Sequence, residues 1–181
     1  MEPTTMLFLG KLSLGLVMGF GALGSALGVL SAGNAAAGAW AKEGKEGKSL
    51  SFVYAAYVGM PLSQTLYCMI CYFMMNKFVG AYEGSYQNGP VLLGIALGVG
   101  FAQFISAFAQ GKIGGAGIRC LSENGGKGNA QILTAMGIAE SIGVFALVTG
   151  ILILANKTVM VMPPEVVDAA KNAITATAPA L

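Results

Sequence analysis

Four long apolar stretches, separated by short polar ones, set the pattern of the chain: Met6 to Ala39, Leu50 to Phe78, Pro90 to Ile118 and Ala130 to Ala155. At about 1.5 Å per residue, each is long enough as a helix to cross the roughly 30 Å hydrocarbon core of a bilayer. A backbone inside a bilayer must satisfy its own hydrogen bonds, so runs of this length predict helices rather than loops. The expectation is an all-α membrane protein with four transmembrane helices. An even number of crossings puts both termini on one side. The first run lacks a basic n-region and a clear cleavage site and continues to full spanning length, so it reads as an uncleaved span.

The polar breaks orient these spans. Lys42, Lys45 and Lys48 follow the first span; Arg119 and Lys127 follow the third, with Lys112 near its end. The loop between the second and third spans has only Lys77 near it, opposed by Glu83. By the positive-inside rule the Lys-rich loops are cytoplasmic and the termini lie on the opposite side. After Asn156 the apolar run ends, and Pro163-Pro164 prevents a helix from running straight on. The remaining tail contains Glu165-Val-Val-Asp168-Ala-Ala-Lys171, a short-helix pattern, then an Ala/Thr-rich end. Its simplest reading is a short terminal helix or a disordered segment.

The glycines add a second order. A shift of 79 residues lays Gly15, Gly19, Gly21 and Gly38 over Gly94, Gly98, Gly100 and Gly117, and Ala37 over Ala116. Several matches at one offset, with apolar runs aligned around them, argue for a duplicated helical hairpin. Each copy crosses twice, so the copies share one orientation. This is a parallel repeat, unlike the inverted repeats common in secondary transporters. The chain divides into a first hairpin (residues 1–78), a second hairpin (79–156) and a C-terminal extension (157–181). Small residues concentrate in the first and third spans: Gly15-x-x-x-Gly19, Gly24-x-x-x-Gly28, and Gly94, Gly98, Ala102 and Ser106. Such spacing lets backbones approach closely, which suits an inner layer. The second and fourth spans are bulkier, with Phe73, Met74 and Met75 in one and Phe145, Leu147 and Ile151 in the other. They suit an outer layer facing lipid.

Composition narrows the class. Hydrophobic residues are 55% of the chain and charged residues 10%, with 27 glycines in 181 residues, outside the usual range of a soluble domain. The net charge of +2, with no basic aromatic surface, gives no footing for nucleic acid. The absence of histidine removes the commonest metal ligand and the usual near-neutral base. Cys68 and Cys71 lie inside an apolar span with no second pair, and with Cys120 they make an odd number, so they read as reduced packing residues. No phosphate-binding loop, nucleophile–base pair or cofactor fingerprint suggests a stand-alone enzyme.

One acid breaks the fourth run, in Gly137-Ile-Ala-Glu140-Ser-Ile-Gly-Val-Phe145. An ionised carboxylate at the bilayer centre costs roughly 2.5 kcal/mol or more, so Glu140 either binds an ion or stays protonated in a packed interface. The second span holds a polar patch, Met60-Pro61-Leu62-Ser63-Gln64-Thr65-Leu66-Tyr67. Ser63 and Tyr67 share one helix face, with Gln64 about 100° around from Ser63. Pro61 lacks an N–H, so the Tyr57 carbonyl loses its usual partner and nearby carbonyls are free to tilt outward. Gln110 adds an amide from the third span. A carboxylate, two amide oxygens, a hydroxyl and a backbone carbonyl make an oxygen-rich set suited to a hard cation, whereas proton exchange needs little beyond the carboxyl. Residue by residue, alternatives stay open: Ser63 can bond back to its own helix, Tyr67 can sit at a polar depth, and Gln110 can bridge helices or lie near the membrane surface.

Met136-Gly137-Ile-Ala-Glu140-Ser, together with the duplicated Gly-rich hairpin, resembles the proteolipid that builds the rotor ring of V-type and A-type rotary ATPases, over about Leu7 to Ala155. The resemblance implies an oligomeric ring of identical subunits in a bacterial cell membrane, surrounded by lipid. Central-stalk subunits would turn it with ATP hydrolysed elsewhere in the complex, and a membrane stator subunit with a basic residue would face it. Glu140 is then the ion carrier of a non-catalytic subunit. Similarity to sodium-binding members implies Na+ as the ion, with Ser63, Gln64, Gln110, Glu140 and the Met60 carbonyl as ligands and Tyr67 donating its hydroxyl proton to Glu140. Two positions depart from the family pattern: Ser63 stands where threonine is expected and Leu62 where glycine is. The first hairpin does not repeat the acid, whose counterpart falls near Leu62 when Tyr67 is matched to Phe145, so two hairpins share one carrier. That lowers the ions moved per ATP and suits a hydrolysis-driven pump. A ring carrying H+ only is the nearest alternative, and a tetraspan structural or pore-forming protein the more distant one.

Overall fold

The computed structural model describes residues 1–80 and 82–177. Among these residues every regular element is helical: α1 (Pro3–Lys45), α2 (Val53–Gly59), a 3₁₀ turn (Met60–Leu62), α3 (Ser63–Asn76), a second 3₁₀ turn (Ser85–Asn88), α4 (Gly89–Glu123), α5 (Asn129–Leu154) and α6 (Pro164–Thr177). Four stretches are long and apolar enough to cross a membrane: Pro3–Lys45, Val53–Asn76, Ser85–Glu123 and Asn129–Leu154. The protein is an all-α membrane protein whose spans form two tandem hairpins. The first and third spans exceed their apolar runs. At about 1.5 Å per residue α1 is about 65 Å long and α4 about 53 Å, well beyond the hydrocarbon core, and the excess carries Lys42, Lys45, Arg119 and Glu123.

The second span is interrupted for a local reason. Pro61 has no N–H to give the preceding turn, so the helix tightens: the Met60 carbonyl accepts the Ser63 N–H, and the chain re-enters α3 through right-handed helical dihedrals. A hydroxyl of α1 holds the turn. Ser25 Oγ donates to the Pro61 carbonyl at 2.6 Å, and Thr65 Oγ1 lies 2.8 Å from Ser25 Oγ and 3.1 Å from the Gly21 carbonyl.

α1 packs along α4 more extensively than any other pair. A Cβ at Gly24 would lie 2.6 Å from Phe104 Cα, one at Gly28 would lie 2.5 Å from the Ala107 carbonyl oxygen, and one at Gly111 would strike the Gly28 backbone. Gly24-x-x-x-Gly28 is therefore where the two backbones meet. Gly15, Gly19, Gly94 and Gly98 differ: a Cβ on any of them meets nothing within 4 Å. They lie on exposed faces of α1 and α4 and contribute no close approach within the chain. The outer layer divides similarly. Phe73 and Phe145 are exposed, but Met75 and Leu147 turn inward and pack with Val17, Cys68, Cys71, Leu92 and Val99.

The extension returns onto the bundle. Asn88 Nδ2 donates to the Val161 carbonyl at 3.0 Å, the Val161 N–H donates to Asn88 Oδ1 at 2.8 Å, and the Tyr82 hydroxyl donates to the same carbonyl. Met160 beside it is buried in the core. α6 then takes up the expected short-helix sequence, and the last part of the Ala/Thr-rich end, residues 178–181, lies outside the described residues.

This packing separates two classes of glycine. Gly111→Val should destabilise the detergent-solubilised chain by about 1–3 kcal/mol through forced separation of α1 from α4, whereas Gly98→Ala should change it by less than about 0.5 kcal/mol. Thermal melts followed by circular dichroism would check both.

Candidate functional site

Glu140 lies near the middle of α5 and is half-buried, with the exposed side chains of Ile138 and Ile142 beside it on the outward face. α3 reaches it with Tyr67, whose hydroxyl donates to Glu140 Oε1 at 2.8 Å. α4 reaches it with Gln110, whose Nε2 lies 3.5 Å from Glu140 Oε2 and 3.4 Å from the Met136 carbonyl. Both Gln110 contacts sit at the long edge of hydrogen bonding. Among the described residues no lysine or arginine pairs with Glu140; the one ion pair is Lys48–Glu46, in the loop after α1. The carboxylate is held by uncharged donors alone.

The polar patch of the second span lies one turn along α3 from Tyr67. Gln64 is fully buried. Its Nε2 donates to Ser106 Oγ at 3.2 Å, and its Oε1 lies 3.1 Å from Ser63 Oγ. Ser63 Oγ is also 3.0 Å from the Met60 carbonyl, so one hydroxyl proton serves two acceptors in turn. The Met60 carbonyl, already holding the Ser63 N–H, is therefore occupied from within its own helix.

The α4–α5 interface contains a ladder. Gln103 Nε2 donates to the Gly143 carbonyl at 2.8 Å, Ser106 Oγ to the Ala139 carbonyl at 2.7 Å, and Gln110 Nε2 faces the Met136 carbonyl. The three side chains recur at helical spacing down one face of α4 and meet carbonyls at helical spacing along α5. They pin the register of α5, bringing Glu140 to the height of Gln110. Gly143 leaves the room required, since a Cβ there would come 2.5 Å from Gln103 Oε1. Two rungs leave an acceptor over: Gln103 Oε1 and Gln110 Oε1 are buried without a hydrogen-bond partner among the described residues. A buried amide oxygen in that state costs about 1–3 kcal/mol, so each is a place where a cation or a water would be stabilised.

Of the residues singled out in the sequence, Tyr67 and Gln110 meet Glu140 directly, while Ser63, Gln64 and Met60 meet one another. The bridge from Gln64 runs to α4 through Ser106 rather than to the carboxylate. Four further residues shape the site: Ser25 and Thr65 brace the 3₁₀ turn, and Ser106 and Gln103 form the ladder. Their signal in the sequence is the recurrence of Gln103, Ser106 and Gln110 along one face of an apolar span, within which Ser106 alone passes for a small packing residue. Chemically, the two groups together hold one carboxylate, two amides and a hydroxyl, the oxygens of which are hard donors.

The family model for the ATP synthase C-subunit matches residues 12–75 and, a second time, residues 93–153, together more than half of the chain. No curated protein matches the chain.

Among the described residues Tyr67 supplies the only short contact to the carboxylate. In Tyr67→Phe the side chain of Glu140 should swing outward between Ile138 and Ile142, because the Gln110 contact at 3.5 Å is too long to hold it. Electron cryo-microscopy of the variant would show the displaced carboxylate; an unmoved one would mean that Gln110 suffices.

Proposed function

Because the chain belongs to the ATP synthase C-subunit family, we propose that it is the ion-carrying rotor-ring subunit of a V-type rotary ATPase, with Glu140 as the carrier and Na+ as the ion. The observation that carries the choice of ion is the buried, partnerless Gln110 Oε1 on the amide whose Nε2 reaches the Glu140 carboxylate; turned over, that amide presents its oxygen to an ion. A proton satisfies only the carboxyl, whereas a metal cation satisfies the carboxylate and the amide oxygen together. In this reading Glu140, Gln110, Gln64 and Ser63 supply oxygen ligands. The Met60 carbonyl joins them once Ser63 turns its proton away. Tyr67 holds the carboxylate toward α3 and stabilises its charge while the site is unloaded.

The cycle follows from the electrostatics. A loaded site pairs Glu140 with its cation, so a side chain flanked by exposed Ile138 and Ile142 can pass through lipid without presenting a bare charge. Where the ring meets the membrane stator, a fixed basic group competes for the carboxylate, and the cation leaves through an aqueous half-channel. Reloading from the other side completes the exchange. Identical copies close the ring. The open glycine faces of α1 and α4, around Gly15, Gly19, Gly94 and Gly98, are suited to neighbouring copies, because small residues there allow close helix contact. Central-stalk subunits transmit the torque of ATP hydrolysed elsewhere. The two hairpins, residues 1–78 and 79–156, share one carrier, and residues 157–181 extend them on the side of the termini. The Lys-rich loops face the cytoplasm of a bacterial cell.

One observation favours a proton-carrying ring instead: Ser63 and the Met60 carbonyl are hydrogen-bonded to each other, and Gln64 makes no direct bond to Glu140. Carbodiimide labelling of Glu140 in the purified ring separates the readings. For a sodium carrier, added Na+ slows labelling in a saturable way at fixed pH, and Glu140→Gln abolishes both labelling and ATP-driven ion transport by the reconstituted complex. A labelling rate that follows pH and ignores Na+ at every pH means a proton carrier.

A further inference from the structure

We propose that Ser106 is a positioning residue that fixes which end of the Gln64 amide faces the cation. The inference rests on the cation reading of the site. A primary amide has an acceptor end and a donor end of nearly the same shape, so a buried glutamine can turn either one toward a pocket. The oxygen end binds a cation. The NH2 end repels it.

The choice is made by a relay whose polarity is set at its far end. The Ala139 carbonyl can only accept. Ser106 Oγ lies 2.7 Å from it, so the single hydroxyl proton of Ser106 is committed there. What Ser106 offers Gln64 is then lone pairs alone. Gln64 must answer with its donor end, and Nε2 does lie 3.2 Å from Ser106 Oγ. That leaves Oε1 on the opposite side, where Ser63 Oγ lies 3.1 Å away.

Burial makes the relay binding. Both Gln64 and Ser106 are fully buried. With the amide turned over, its oxygen would face the Ser106 lone pairs and its NH2 would crowd the ligand side, each a buried mismatch. Gln110 differs, since its Nε2 faces both the Met136 carbonyl at 3.4 Å and Glu140 Oε2 at 3.5 Å. The helix that carries Glu140 also uses a backbone carbonyl, that of Ala139, to turn the amide oxygen of Gln64 on another helix toward the ion. Among the described residues Ser106 makes its hydrogen bonds to Gln64 and Ala139 and none to the carboxylate. It acts through Gln64.

The test uses Na+ protection of Glu140 from carbodiimide in the purified ring. Ser106→Ala removes both the acceptor for Gln64 and the donor to Ala139. The Na+ concentration for half-protection should rise about five- to tenfold, the size of one hydrogen bond's net contribution. Ser106→Thr, which keeps the hydroxyl, should restore the midpoint, and the labelling rate without Na+ at the same pH, read beside it, reports how far the lost Ala139 rung has shifted Glu140 itself. In a Gln64→Ala background, adding Ser106→Ala should cost clearly less than in the wild-type ring, the remainder being the lost rung to Ala139. Where Ser106→Ala does not assemble, the Ser106→Cys ring takes its place, with a smaller rise expected. An unchanged midpoint in the variant, or a full additional loss in the Gln64→Ala background, overturns the proposal. If the wild-type ring itself ignores Na+, the cation reading fails first and this inference with it.

Discussion

A carboxylate in the middle of an apolar helix, without a cationic side chain to pair with, is the constraint around which the rest of the structure is built. Glu140 has no lysine or arginine partner among the described residues and receives one short hydrogen bond, from Tyr67. Leaving such a group ionised in hydrocarbon costs several kcal/mol. A permanent counter-charge would remove that cost and also end any exchange of ions. Uncharged donors and acceptors around Glu140 are the compromise: they hold the carboxylate in place while leaving its charge available.

The packing supports that compromise at two levels. Glycines at positions 24, 28 and 111 bring α1 and α4 backbone to backbone, which gives the thin, rigid layer against which α3 and α5 are set. The ladder of Gln103, Ser106 and Gln110 then locks α5 to α4, so the height of Glu140 is determined by hydrogen bonds rather than by apolar contact, which lipid would supply equally well. On the other flank, Pro61 tightens the second span into a 3₁₀ turn and Ser25 holds its carbonyl, which sets where Ser63 and Gln64 begin α3. Each device tolerates the loss of a helix bond or the burial of a polar group, and each lies within a turn or two of the site. Polar residues in a membrane interior persist only where they find partners, and here the partners are mostly backbone carbonyls.

The spans and the acid are legible in the sequence because the bilayer punishes deviation: a span must be long and apolar, and a lone glutamate within it stands out. The spacing of Ser63 and Tyr67 places both on one face of the second span. Direction is what the sequence does not display. The spans are apolar nearly all round, so nothing in the chain marks Met75 and Leu147 as inward and Phe73 and Phe145 as outward. For the same reason Gly24 and Gly28, which meet α4, look no different from Gly15 and Gly19, which meet nothing in the chain. The relay through Ser106 and the clamp on Val161 are hidden for another reason: their acceptors are backbone carbonyls, which every residue carries and no sequence displays. Polar side chains announce that a partner exists, but not which carbonyl it will be.

If Glu140 holds a metal cation together with the amide oxygens of Gln64 and Gln110, the ring should show it in two preparations. Electron cryo-microscopy would image it once in Na+ and once in a buffer whose only monovalent cation is a large organic one. The cation reading predicts a compact density between Glu140, Gln110 Oε1 and Gln64 Oε1 in the first map and its loss in the second. A pocket identical in the two maps, with Gln110 Nε2 still facing Glu140 as it does here, would contradict it.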